Sequence, residues 1–231
     1  GAENLVLPGR DHREVAFHAE AFAAMYRFFN GKIPRTDLVA EDSVTLDGVL
    51  SGLAGTSPTN QPQAGARVVV HAIDPVTAQR RSIPLADRII GADGRWGPLV
   101  TDSRTPLEFV ITAEGYAVTH VYRSPFPRSS TIVHLRPERL TDADRGGVAV
   151  LNLSRPRGYF GLPRDTIVLD GENPPPGLAA GVAGVSSVKV KTSDSNRRAI
   201  AEFACGSISE RIIGWAWPLW GGHLNVFELH Y

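Results

Sequence analysis

The side chain best placed to do chemistry in this sequence is His12. The apolar run Asn4-Leu5-Val6-Leu7 stops at Pro8-Gly9, and the polar stretch Asp11-His12-Arg13-Glu14 follows. A histidine in a loop that leaves a sheet strand keeps its imidazole exposed. That position suits a group that takes up a proton and returns it. His12 is therefore the candidate general base. The plain alternative is a solvated loop histidine beside Arg10, Asp11 and Arg13, but the flanking strand and the aromatic-rich segment favour the catalytic reading. Asp11 is a poor acid partner, because adjacent side chains in an extended loop diverge. His18 reads as a helix-start or surface residue.

Other chemistry finds little support. The seven histidines never recur at i, i+4, and H-E-x-x-H is absent, so no metal site is expected. G-x-G-x-x-G and G-x-x-x-x-G-K-[ST] are absent too, leaving a nucleotide nothing to bind and calling for no cofactor. The single cysteine, Cys205, shares a strand face with Ala201 and Phe203 and reads as a small buried hydrophobe. Trp215 and Trp217, two apart on a strand, share a face that could meet substrate, although a core or inter-domain contact is the favoured reading. Trp96 follows Asp93-Gly94 and reads as packing over a hairpin end. The local positive charge of Arg155-Pro156-Arg157 and of Arg123 to Arg128 reads as solvated loop. With 24 Lys+Arg against 24 Asp+Glu, there is no general field for nucleic acid. No apolar run reaches the ~18 residues of a membrane span.

These residues need elements to hold them, and three regions separate on pattern. Residues 1–33 read strand, loop, helix: Phe22, Met25, Tyr26 and Phe29 fall at i, i+3, i+4 and i+7, and Asn30-Gly31 closes the helix. A short strand and a helix of about a dozen residues are both marginal alone in water. This unit is expected to pack on something outside the sequence or on an unexpected face of the remainder. Residues 43–137 read as strands, including Arg67 to Ile73, Leu107 to Thr112 and Ser130 to Leu135, with Asp93-Gly94 as the best hairpin signal. In Leu107 to Thr112, Leu107, Phe109 and Ile111 share one face, with Glu108 and Thr112 opposite. A charged, glycine-containing linker is expected from Arg136 to Gly147. Residues 138–231 then hold strands at Thr166 to Asp170, Val185 to Thr192, Ala199 to Cys205, Glu210 to Trp215 and Leu224 to Tyr231.

The opening unit resembles the carboxy-terminal end of the α/β-hydrolase fold. Asn4-Leu5-Val6-Leu7-Pro8-Gly9-Arg10-Asp11-His12 is similar to its last core strand and catalytic-histidine loop, and Ala19 to Asn30 to its final helix. The resemblance implies a triad whose histidine comes last in chain order, and it gives that role to His12. No serine here satisfies G-x-S-x-G, because Gly55-Thr56-Ser57 and Gly184-Val185-Ser186 are followed by Thr59 and Val188 in place of the second glycine. Serine, acid and oxyanion hole are then expected outside this sequence. A second resemblance covers roughly 90 residues. Leu50-Ser51-Gly52, Pro62 to Val70, Ala92-Asp93-Gly94-Arg95-Trp96 and Phe109 to Tyr116 look like a carboxypeptidase-regulatory-like, transthyretin-type β-sandwich. Such modules are commonly appended to secreted enzymes, and some bacterial lipases and esterases of the hydrolase fold carry trailing β-regions.

These readings imply a mainly β chain: two antiparallel β-sandwich-like domains, 43–137 and 138–231, preceded by the last strand, histidine loop and final helix of an α/β-hydrolase core in 1–33. The resemblances imply the C-terminal portion of a secreted or periplasmic serine ester hydrolase of lipase or esterase type, acting on an ester or lipid without a cofactor. Its partner would be the remainder of the catalytic domain, in the same precursor or a second chain, and this chain alone is expected to be inactive. No export signal is visible at the start. The competing reading is a non-catalytic β-sandwich protein that binds a polymer, lipid or protein partner through Trp215 and Trp217. A pure sandwich protein has no use for the opening unit, which favours the enzyme.

Overall fold

The amphipathic spacing after His12 produces a helix where expected. The computed structural model describes residues 4–35 and 39–231 and contains α1 (Glu14–Phe17) and α2 (Ala19–Asn30); residues 1–3 of the opening unit lie outside the described residues. His18 starts α2 from an extended backbone, its Nδ1 accepting from the Glu20 N–H at 3.2 Å. Gly31, at φ 63°, ends the helix by donating to the Arg27 carbonyl. The apolar stripe finds no cover among the described residues. Phe22 is 48% exposed, Phe29 78%, and Met25 and Tyr26 also face outward. Asn4 to Leu7 is not a strand here. Leu5 and Val6 lie largely exposed, and among the described residues no strand pairs with them to complete a backbone ladder.

From residue 43 onward the chain is mainly β. Its strands are β1 (Ser43–Leu46), β2 (Ser51–Ala54), β3 (Ser57–Pro62), β4 (Arg67–Ala72), β5 (Ala86–Ile89), β6 (Leu99–Asp102), β7 (Leu107–Thr112) and β8 (Val118–Arg123). They continue as β9 (Ala149–Ser154), β10 (Thr166–Leu169), β11 (Ser187–Thr192), β12 (Arg198–Cys205), β13 (Ile208–Trp215) and β14 (His223–Glu228). A seven-stranded sheet in the order β11-β9-β14-β8-β7-β4-β5 runs through both β-rich regions. Its pairings are antiparallel except that β14 lies parallel to both β8 and β9. A three-stranded antiparallel sheet, β10-β12-β13, and the pairs β1-β6 and β2-β3 complete the structure.

Two hydrophobic cores flank the large sheet. Leu107, Phe109, Ile111, Val121, Leu224 and Val226 point into the first, against β1, β6, Trp96 and Val133. Tyr122, Leu151, Leu153 and Phe227 enter the second, against Phe203, Ile212 and the rest of the three-stranded sheet. Strand alternation therefore sends successive residues of β8 and β14 into different cores.

Further expectations are corrected: Arg123 and Arg155, read as solvated, are buried. Asp93-Gly94 is a turn but not a hairpin, because the strands it joins, β5 and β6, belong to different sheets. Ser130 to Leu135 is not a strand; it touches β1 and Leu50 only through isolated bridges. The stretch expected as a linker is tied down: the Ala117 N–H donates to the Glu138 carbonyl at 2.9 Å, Asp144 caps its own turn through Thr141, and Lys189 pairs with Asp144 at 3.1 Å. Each of these groups has found a partner, so the segment packs instead of spanning open space.

Gly48 shows how tightly the first core closes. A Cβ there would lie 1.9 Å from the Val133 carbonyl oxygen and 2.9 Å from the Trp96 indole nitrogen, which itself donates to that carbonyl at 2.8 Å. The obstruction is backbone, so it cannot swing away. Gly48→Ala should lower stability by about 1–3 kcal/mol in denaturant titrations, whereas Gly206→Ala, with open space around it, should cost only the strain of its positive φ.

Candidate functional site

The loop that carries His12 is held from both sides. Asp11 and Glu14 bracket it: the Asp11 carboxylate accepts from the Arg13 and Glu14 N–H groups at 2.8 Å each, and the Asp11 N–H donates to Glu14 Oε2 at 2.9 Å. Both carboxylates also reach residues roughly 150 positions downstream. The Tyr159 N–H donates to Asp11 Oδ2 at 2.7 Å, and Arg155 Nη2 donates to Glu14 Oε1 at 2.7 Å. Arg164 donates to Glu14 at 3.3 Å and to the Gly9 carbonyl at 3.2 Å, and is itself paired with the buried Asp165. Burial alone would raise the Asp11 pKa, but the three N–H donors and the Arg155 charge outweigh it and hold the carboxyl low. His12 sits at the crest of this loop, exposed.

A groove of about 820 Å³ runs between the opening unit and the β-domains, past Phe17, Arg157, Ser124, Phe126, Ile132 and Ile208. One wall brings Ser124, His230 and Glu210 together, the residue types of a hydrolytic triad. Their connections are wrong for one. The Ser124 hydroxyl donates to Glu210, and the His230 ring is taken by the Ser124 carbonyl at 3.0 Å and by Arg123 at 3.0 Å. Among the described residues, no histidine is therefore placed to take the Ser124 proton. Burial, and then the Arg123 charge, push His230 down to about 3, so its ring stays neutral.

The most heavily connected polar group in the β-domains is Glu108. Read from the sequence as lying on the face opposite Phe109, it is 1% exposed, because that face is covered by the second core. It accepts from Arg80 Nε at 2.5 Å and Nη2 at 2.9 Å, Tyr122 OH at 3.0 Å, Trp217 Nε1 at 3.1 Å and His120 Nδ1 at 2.8 Å. Burial favours the protonated acid, but the Arg80 bonds and the other donors outweigh it and keep Glu108 ionised. Burial lowers the His120 pKa, so that ring is neutral. With Nδ1 donating to Glu108, its Nε2 accepts from His223 Nδ1 at 2.8 Å.

Trp217 is sandwiched in this cluster, with Arg80 4.6 Å from its ring centre and His120 stacked at 5.1 Å. Trp215 is half-buried against the second core, and its carbonyl lies 2.9 Å from the Tyr122 OH, whose single proton it shares with Glu108. The structure thus places both candidate tryptophans in contacts between strands, and brings neither to His12. Trp220, by contrast, is 82% exposed. Arg80, Glu108, His120 and His223 come from distant segments, and nothing in their local sequence signals the cluster. Among the described residues, no group of three or more His, Cys, Asp or Glu is placed to hold a metal ion, and no helix is long and apolar enough to cross a membrane.

The neutral histidines set a direction for acid sensitivity. Burial depresses His71, His120, His223 and His230 in the fold, while in the unfolded chain they titrate near ~6.5. Below about pH 6.5 the unfolded chain binds more protons, so stability is present above that pH and falls as pH drops towards the folded values. Glu108, held low, adds to the loss below about 4.5. Glu138 and Glu210, both raised by burial, act in the opposite sense near and above 4.5, but the four histidines outnumber them. Denaturant midpoints should hold from pH 7.5 to about pH 6.5 and then fall to pH 4, with His230 alone contributing roughly 2–4 kcal/mol; a flat profile would contradict the assignment of neutral buried rings.

Comparison with known proteins places part of this architecture. The family model of the lipase C-terminal domain matches residues 42–140, the stretch that supplies most of the first core. No curated protein matches the sequence. A solved structure of a DUF3823 family protein from Bacteroides ovatus aligns over 76% of this chain and 97% of that one, at 7% identity and a TM-score of 0.26. By the family match, residues 42–140 form a domain related to the C-terminal domain of lipases.

Proposed function

We propose that this chain is the C-terminal part of a secreted serine ester hydrolase of lipase type, with His12 as the triad histidine and the serine, acid and oxyanion hole on an α/β-hydrolase core outside this sequence. The observation that carries the reading is α2. Its aromatic stripe, Phe22, Met25, Tyr26 and Phe29, directly follows the His12 loop and lies exposed, close in sequence to a lipase-related domain. An uncovered face of this size on a short helix needs a partner, and the final helix of a hydrolase core would be covered by its own sheet. His12 would take the proton of the attacking serine hydroxyl and deliver it to the leaving alcohol, a role worth roughly 10²- to 10⁴-fold in rate. The β-domains supply no reacting group in this scheme; they hold the loop.

The test uses the longer protein that joins this chain to its catalytic core. A serine-directed phosphonate should label it, a short-chain aryl ester should be hydrolysed, and His12→Ala should lower kcat about 10⁴-fold with little change in KM. Absence of labelling together with unchanged hydrolysis in His12→Ala would overturn the reading. A second outcome comes from the helix. In the longer protein Phe22→Ala should cost about 3–5 kcal/mol, as for a buried aromatic. In this chain alone it should cost under about 0.5 kcal/mol, as for an exposed one.

A further inference from the structure

We infer that Arg155, acting through Glu14, is a positioning residue for the catalytic histidine, so that the β-domains set the rate of a reaction whose groups lie elsewhere. The inference rests on the proposed role of His12. Arg155 follows β9 and is 3% exposed, with its guanidinium 4.6 Å from the centre of the Phe203 ring. Its Nε donates to the Tyr231 carbonyl at 3.2 Å and its Nη1 to the Tyr159 carbonyl, leaving Nη2 for Glu14 at 2.7 Å. Gly158 lets this guanidinium in, because a Cβ there would lie 2.5 Å from it. Glu14 in turn accepts the Asp11 N–H, and Asp11 accepts from Arg13 and Tyr159, so backbone on both sides of His12 is fixed to the second β-rich region.

Cations this deeply buried are retained where they are paired and fully hydrogen-bonded. A general base needs its nitrogen within hydrogen-bond reach of the serine hydroxyl, and displacement by about 1 Å can cost ~10²-fold in rate. Glu14 and Asp11 flank His12 without occupying its ring, which leaves the imidazole open to a group supplied by another domain.

The experiment measures the longer protein by active-site titration with the phosphonate, so that kcat is expressed per competent site. Arg155→Met should lower kcat about 10- to 100-fold with KM within about twofold, and should slow phosphonate labelling in parallel. Glu14→Gln, a milder change that keeps the fold if Arg155→Met does not, should lower kcat about 5- to 10-fold. The double variant should fall short of the product of the two single effects, since both variants remove the Arg155–Glu14 contact. A purely structural role would lower the melting temperature and the number of titrated sites while leaving kcat per site unchanged, and that result overturns the inference. His12→Ala run alongside separates the two claims. If it is inactive while Arg155→Met and Glu14→Gln keep full kcat, the positioning role alone falls; if it keeps full activity, the proposed function and the inference fall together.

Discussion

Strand β14 joins the two β-rich regions. It is nearly the last segment of the chain, yet it lies inside the large sheet, hydrogen-bonded in parallel to β8 on one edge and β9 on the other. Parallel neighbours need long connections, and the whole of β10 to β13 serves as one. The consequence is that residues 43–137 and 138–231 share a sheet, with Leu224 and Val226 completing one core and Phe227 the other. A sheet covered on both faces buries whatever its strands carry. That is why Glu108, His120 and Tyr122 had to meet one another: each backbone position was set by the ladder, and each polar side chain was left with no water to bond.

The same economy shapes the opening unit. The sequence is balanced in charge, but much of that charge sits in contacts between distant segments. Arg155 and Arg164 with Asp11, Glu14 and Asp165 bind the histidine loop to the second region. Arg80 with Glu108 binds strands of the first region to the Trp217 turn. Polar contacts of this kind give one geometry with little tolerance, whereas apolar contact of the kind the face of α2 offers is non-directional. In the proposed function, a loop that holds an imidazole in place is better served by the former, and a helix that seals against another surface by the latter.

Local pattern was a good guide wherever one residue's neighbours along the chain decided its state. Ala19 to Asn30 is helical because its stripe, its His18 start and its Gly31 end all lie within reach of each other. Leu107 to Thr112 forms the expected strand with the expected inner face. The stripe of α2 was legible as an apolar face, and it lies exposed among the described residues. Asn4 to Leu7 failed as a strand because strandhood depends on a neighbour and not on apolarity, and Asp93-Gly94 failed as a hairpin because a turn does not choose which sheet receives its arms. Glu108 was read on the correct face, but the covering of that face by a second core is a property of chain segments far from it.

What the residues determined by themselves is the class of the chain and its local elements: short strands punctuated by glycine and proline, a capped amphipathic helix, and a histidine loop between an apolar run and that helix. These follow from backbone preference and side-chain periodicity, which act over a few residues. Only the tertiary structure decided that β14 would bridge two regions, that Ser124, His230 and Glu210 would meet in an order that forbids a triad, and that Arg155 would reach the histidine loop. Those outcomes turn on which distant groups are brought within about 3 Å of one another, and only the folded arrangement fixes that distance.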